Sequence, residues 1–277
     1  MTSTVAPSLD DLRRRIDAID DGLLDLIQER AAIVGAIAAA KRASGSAGAF
    51  RPGREAQVMR RLASQLDGPF GVATMVRLWR EIMCEFTRLQ GPFSAAVDCA
   101  PDRCGLWDLA RDHFGAETPL AAHGSAEAVI GAVAAGAATV GVLAPPSAAP
   151  AGAWWPRLRS ADRARVRIIS RLPFASPGSA RGPVRDAVAV ACLPTEPSGH
   201  DRSFLAVPAA GPAEAADLLH TAGLAPYGAA VAADGAVLAE VDGYLDDADP
   251  RLARLPSGTL VLGAYAVPLA ESGGARG

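Results

Sequence analysis

LDDLRRRIDAIDDGLLDLIQERAAIVGAIAAAKR, residues 9–42, decides the architecture of the first third of the chain. Ser8 stands in an N-cap position, and Asp10 and Asp11 fall in the first turn, where the helix dipole favours acids. Apolar residues return at Leu9, Leu12, Ile16, Ile19, Leu23, Leu26, Ile27, Ile33, Val34 and Ile37, close to helical spacing. Nothing interrupts the run before Ser44-Gly45-Ser46, so the spacing predicts one helix of about 34 residues, roughly 50 Å long. A second helix is expected behind Pro52, over Arg54 to Leu66, and broken at Gly68-Pro69. A third runs from about Val72 to Leu89 and ends before Gly91-Pro92. Three such helices cannot enclose a compact core. The long one therefore needs a partner, and an intertwined homodimer is the expectation.

The whole chain has 277 residues, 50% apolar and 21% charged, with net charge −3. That is a globular profile, long enough for about two domains and not basic enough for nucleic-acid binding. Residues 1–94 carry 13 basic and 11 acidic residues, and residues 95–277 carry 14 and 19, so the acidity lies in the later part. Cys84, Cys99, Cys104 and Cys192 form no CxxC pair and no zinc-like spacing. The N-terminus holds no apolar run of the signal-peptide kind. Residues 128–156 carry no charge, but they are Ala/Gly-rich and broken by prolines, which suits a buried helix and strand rather than a membrane span. A cytoplasmic protein with reduced cysteines is the expectation. One compositional oddity stands out: 26 of the 27 basic residues are arginine, and Lys41 is the only lysine.

From about Ala95 the texture becomes α/β. Strands are expected at Ala96–Ala100, Thr118–His123, Thr139–Ala144, Val166–Ser170 and Ala187–Leu193, with helices at Leu106–Phe114 and Ala126–Ala135. The last stretch reads strand (Phe204–Val207), helix (Ala213–Ala222), strand (Tyr227–Ala233), strand (Ala236–Val241), helix (Asp249–Leu255), strand (Leu260–Ala266). That is the ferredoxin-like βαββαβ order. The expected organisation is multidomain, with an all-α region at 1–94, an α/β region at 95–198 and an α+β ferredoxin-like unit with a tail at 199–277.

The chemistry-bearing residues lie on the helices. Arg30 and Lys41 are eleven residues apart, within about 20° of the same direction and roughly 16 Å apart along the axis. Both sit beside an apolar stripe, where a cation is costly unless an anion meets it. Snorkelling cations paired with Glu29, Asp17 or Asp20 are the alternative. Arg13 is roughly 100° away from Arg30 and cannot easily share its pocket within one chain.

The ordered series Leu12-Arg13, Ile16-Asp17, Ile19-Asp20, Glu29-Arg30, Lys41, Arg51-Pro52-Gly53-Arg54-Glu55, Trp79-Arg80-Glu81 and Leu89-Gln90 resembles the all-helical chorismate mutases. The resemblance covers residues 9–92. It implies an intertwined dimer that rearranges chorismate to prephenate, with no metal or cofactor. It also implies residue roles. Arg13 from the partner chain and Arg30 grip the substrate carboxylates, and Lys41 and Gln90 donate to the ether oxygen. Arg54 and Glu55 hold the carboxylate and ring-hydroxyl end. A neutral Gln90 donates at any pH, so no acid requirement is expected. Two positions depart from the family pattern: Arg51 stands where many relatives carry an acid, and Phe86 where many carry a small hydroxyl residue.

The later part resembles a degenerate prephenate dehydratase followed by an ACT-like domain. Leu106 to Gly115, Ala128 to Val142 and Val166 to Leu172 carry the first resemblance, and residues 203–268, with Leu262-Gly263-Ala264-Tyr265, carry the second. The Thr-Arg-Phe motif of those dehydratases is replaced by Asp186-Ala187-Val188-Ala189-Val190, and their Glu-Asn-Ser motif by Ala144-Pro145-Pro146-Ser147. Loss of dehydratase activity is the expectation. His113, His123, His200 and His220 are scattered and read as structural. Two other functions stay open at this point: an isochorismate pyruvate lyase on the same fold, and a non-catalytic regulatory partner in the chorismate pathway.

Overall fold

A computed structural model describes residues 7–44, 49–101, 105–147, 153–159, 166–175 and 184–269; Cys104 lies outside them. The long helix α1 spans Leu9–Ser44. It begins in a capping box: Ser8 Oγ accepts from the Asp11 amide at 3.1 Å, and the Asp11 carboxylate accepts from the Ser8 amide at 3.2 Å. Helices α2 (Pro52–Gln65) and α3 (Val72–Gln90) follow.

The residues of α1 fall into two groups. Arg30, Val34, Ala38 and Lys41, spaced four, four and three, are covered to differing degrees, with Ala38 fully buried on the side near α3. Leu9, Leu12, Ile16, Ile19, Leu23 and Leu26 alternate by three and four, and Ile33 and Ile37 continue the repeat after Arg30. This is a heptad seam. It stands open in a single chain: Ile16 is 57% exposed, Leu23 53% and Leu26 63%.

After α3 come β1 (Ala95–Asp98), α4 (Gly105–Phe114), β2 (Leu120–His123), α5 (Ala126–Ala134) and β3 (Val140–Leu143). The three strands pair in parallel in the order β2-β1-β3. β1 and β3 are buried along their whole length, as a sheet covered on both faces requires. Two further strands, β4 (Arg167–Leu172) and β5 (Ala187–Ala191), join as an antiparallel pair beside β3. The final unit is β6 (Asp201–Val207), α6 (Pro212–Ala222), β7 (Pro226–Ala233), β8 (Ala236–Asp242) and β9 (Leu260–Ala266), in the order β9-β6-β8-β7. The helix expected over 249–255 is instead a single 3-10 turn, Pro250–Arg254. Asp249 caps it through the Arg251 amide, but Pro256 follows too soon for an α-helix to propagate.

The sheet is continuous across residue 198. β4 pairs in parallel with β9 at Ile168 and Gly263, which makes one nine-stranded sheet, β2-β1-β3-β5-β4-β9-β6-β8-β7. Gly263 permits the junction. Its φ is +145°, and a Cβ there would lie 2.0 Å from the Ile168 carbonyl oxygen. The helical region docks on this sheet at two places. Phe50, Phe93 and Phe114 form an aromatic cluster with centroids 5.1–5.9 Å apart. Ala56 and Met59 of α2 pack with Met75, Val76 and Met83 of α3 against Phe174, Ala175 and Ala266.

Replacing Gly263 by alanine forces both a disfavoured φ and a backbone clash. We expect Gly263→Ala to lower unfolding stability by about 3 kcal/mol or to abolish folding. Urea denaturation of the variant beside Gly258→Ala, which also has positive φ but meets only a Pro208 side chain at 3.6 Å, checks this: equal losses in the two variants would refute the junction's role.

Candidate active site

The cations of α1 lie on two different parts of the molecule. Arg30 is partly buried and stacks over the ring of Phe86 in α3, with its guanidinium carbon 4.8 Å from the ring centroid. Burial pushes its pKa below the ordinary arginine value, and no carboxylate among the described residues offsets that shift. Gln90 lies one turn beyond Phe86 and donates Nε2 to the Phe86 carbonyl at 3.0 Å. An amide NH2 carries two donors, so one N–H remains for another acceptor. Lys41 is also partly buried, three turns along α1 on the same side as Arg30. Arg13 is exposed and pairs with Asp10 at 3.3 Å, about 25 Å from Arg30 along the helix. One chain therefore brings Arg30, Phe86 and Gln90 together and leaves Arg13 far from them.

The start of α2 is organised differently from the sequence reading. Arg54 is exposed, its guanidinium 3.4 Å from Gln57 Oε1. Glu55 pairs with neither Arg51 nor Arg54. Its carboxylate is 2.6 Å from Nη1 of Arg80 in α3, with the two side chains 12% and 5% exposed. Burial pushes the Glu55 carboxyl above its ordinary value, and the neighbouring guanidinium opposes that shift. Arg80 also lies over the Phe174 ring at 5.4 Å. Arg51 forms an ion pair with Glu196, at 3.0 Å from Nε and 2.5 Å from Nη2.

Arg80 and Glu196 received no role from the sequence. For Arg80 a signal existed, since it falls in the buried face of α3 with Val76, Met83, Cys84 and Thr87, at helical spacing. Two titratable neighbours of this pair are shifted towards their neutral forms. Burial and Arg80 hold His113 well below its ordinary pKa, and burial pushes the Cys84 thiol up to about 12. Among the described residues Arg80 Nε and His113 Nε2 have no hydrogen-bond partner, and both residues line a cavity of about 30 Å³. Among the described residues no cluster of three potential metal ligands forms, and no helix is long and apolar enough to cross a membrane.

Residues 12–91 match the family model described as chorismate mutase type II. Over 124 residues the chain is 37% identical to a bifunctional chorismate mutase/prephenate dehydratase of Stutzerimonas stutzeri, covering 42% of this chain and 34% of that protein. The chain thus spans about a third of the length of the curated relatives it matches. Among solved structures, a quorum quenching acylase aligns over 63% of this chain and 94% of its own, at 18% identity and a TM-score of 0.41. A prephenate dehydratase of Arthrobacter aurescens, solved with L-Phe, aligns over 62% and 90%, at 12% identity and a TM-score of 0.45.

The Glu55–Arg80 pair yields a stability prediction. Glu55→Ala leaves a buried guanidinium uncompensated and should cost about 3–5 kcal/mol, while Glu55→Gln, which keeps an acceptor, should cost less. The pH dependence has a definite sign. A carboxyl whose folded pKa is raised holds its proton more tightly in the folded state. Its stabilising contribution is full below the unfolded pKa and is lost as pH rises through the folded one. Urea unfolding from pH 4 to 8 should therefore show the wild type losing ground to Glu55→Gln as pH rises; the opposite slope would refute the direction.

Proposed function

Taking residues 12–91 as a chorismate mutase type II domain, we propose that the chain rearranges chorismate to prephenate, in the branch leading to phenylalanine and tyrosine. The observation that carries this reading is Arg30, a partly buried cation stacked on Phe86 whose desolvation no described carboxylate relieves. A dicarboxylate substrate supplies the missing anion. The rearrangement is intramolecular: one C–C bond forms as the ether C–O bond breaks, and no proton or group leaves. The protein's work is to hold a flexible molecule in a compact chair and to stabilise charge on the ether oxygen as it develops. Arg30 takes a carboxylate with a fork-shaped, charge-assisted bond. Lys41 and the unused N–H of Gln90 serve the ether oxygen, and Arg54 meets the opposite end of the substrate. Glu55 acts there through Arg80 and through its place beside Arg54.

The site is completed by a second copy of the chain. The open seam from Leu9 to Ile37 supports this, because apolar side chains repeating at heptad spacing are stable only against another apolar surface. In that arrangement Arg13 of the partner subunit approaches Arg30, which its own Arg13 cannot do. The sheet region, without the two dehydratase motifs, carries no dehydratase chemistry on this reading and acts as a structural support of the helices.

Chorismate loss at about 274 nm, where its diene absorbs, with identification of the product, tests the proposal. Lys41→Ala should lower kcat/KM by about 100-fold or more, on the order of 3 kcal/mol, and Lys41→Arg should also be poorly tolerated. The wild-type rate should not rise below pH 5, because Gln90 needs no proton to donate. A Lys41→Ala variant as fast as wild type, or salicylate and pyruvate as products, would refute the assignment. For the dimer, Ile19→Asp/Leu23→Asp should sediment as a monomer at micromolar concentration and lose mutase activity. A double variant that stays dimeric and active would remove the seam from the account.

A further inference from the structure

The start of α2 has no cap of its own. Arg51 is the N-cap residue, and its side chain makes no capping hydrogen bond. The cap comes instead from the segment between β5 and β6, about 140 residues later. Glu196 accepts the Arg54 amide at 3.0 Å with Oε1 and takes the Arg51 guanidinium with Oε2. The approach is close enough to require glycine at residue 53: a Cβ there would lie 2.7 Å from Glu196 Cγ and 2.8 Å from the Glu196 carbonyl oxygen.

The segment presenting Glu196 is itself held. Ser198 is buried, and its amide donates to the Asp201 carboxylate at 2.8 Å, at the first residue of β6. Arg60, two turns along α2, donates to the carbonyls of Ser198, His200 and Val267 at 2.7–3.1 Å. Glu196 is therefore a carboxylate fixed to the sheet and aimed at the helix turn that carries Arg54 and Glu55. It also neutralises Arg51, leaving the Arg54 side chain as the cation available at this end.

We propose that Glu196 is a positioning residue for the mutase site, setting the first turn of α2 so that Arg54 meets the substrate and Arg51 does not. This rests on the proposed chorismate mutase reading. A carboxylate at a helix N-terminus satisfies orphan amides and opposes the dipole, so losing it loosens the turn it caps. Lys41 and Gln90 stand on other helices and keep their geometry. The effect therefore falls on substrate capture rather than on the rearrangement itself.

The test uses the full chain with chorismate as substrate. Glu196→Ala should raise KM about tenfold while kcat stays within about threefold, and Glu196→Gln, which keeps the Arg54 amide acceptor, should raise KM less. Gly53→Ala disturbs the same contact without removing a charge and should reproduce the KM rise if Glu196→Ala does not fold. Hydrogen exchange supplies a readout independent of catalysis: the Arg54 amide should exchange at least about tenfold faster in Glu196→Ala, with the Met59 amide unchanged. A variant with lower melting temperature but unaltered KM, or with an unaltered Arg54 exchange rate, would overturn the proposal. A wild type inert toward chorismate would instead defeat the mutase reading, and with it the catalytic part of this one, while the exchange rate still decided the anchoring.

Discussion

A helix of 36 residues reaches about 54 Å, and its own chain covers only the C-terminal part of one side. From Leu9 to Leu26 the seam residues stand in the open. Burying apolar surface is worth roughly 25 cal/mol per Å², so a seam of this length represents a large unmet driving force. α2 and α3 leave the N-terminal half of α1 clear, and α3 turns one face to Arg30 and the other to the sheet. The residues that converge in one chain, Arg30, Phe86 and Gln90, lie where α1 and α3 meet.

The second constraint is the charge buried at the centre of the helical region. A buried ion pair adds little net stability over apolar residues of the same volume, because desolvation of both ions opposes their attraction. What Glu55–Arg80 provides is registration between α2 and α3 at the residue next to Arg54. Phe174, from the loop after β4, stacks on Arg80 from the sheet side. The pair is thus fixed by three parts of the chain, and Glu196 fixes the neighbouring turn from a fourth.

Local features of this fold were legible in the sequence, and contacts between distant segments were not. The N-cap at Ser8, the uninterrupted α1, the breaks at Gly68 and Gly91 and the βαββαβ order all depend on residues within a few positions of one another. The 3-10 turn at Pro250–Arg254 shows the limit of such reading, since Asp249-Pro250 opens like a helix and only the nearness of Pro256 ends it. Glu196 with Arg51 and Glu55 with Arg80 are pairings across 145 and 25 residues, and spacing along the chain carries no information about them. Two clues were nonetheless present: a charge at position 80 on an apolar helix face, and a glycine at 263 in the middle of a strand, where glycine often marks a close backbone approach.

The arginine-rich composition gains a physical meaning from these contacts. Arg60 reaches three carbonyls, Arg51 places two nitrogens on one carboxylate oxygen, and Arg80 joins a carboxylate to an aromatic face. Arg30 lies over the ring of Phe86. Each uses the planar, multi-donor guanidinium in a way an ammonium cannot copy. Lys41 is the exception in a chain that writes arginine everywhere else. It lies on the same side of α1 as Arg30, and under the proposed mutase reading a compact point charge has the advantage there, because a single ether oxygen offers one acceptor and no plane to match. The planar cations organise the contacts between distant segments, and the one compact cation lies on the Arg30 side of the helix.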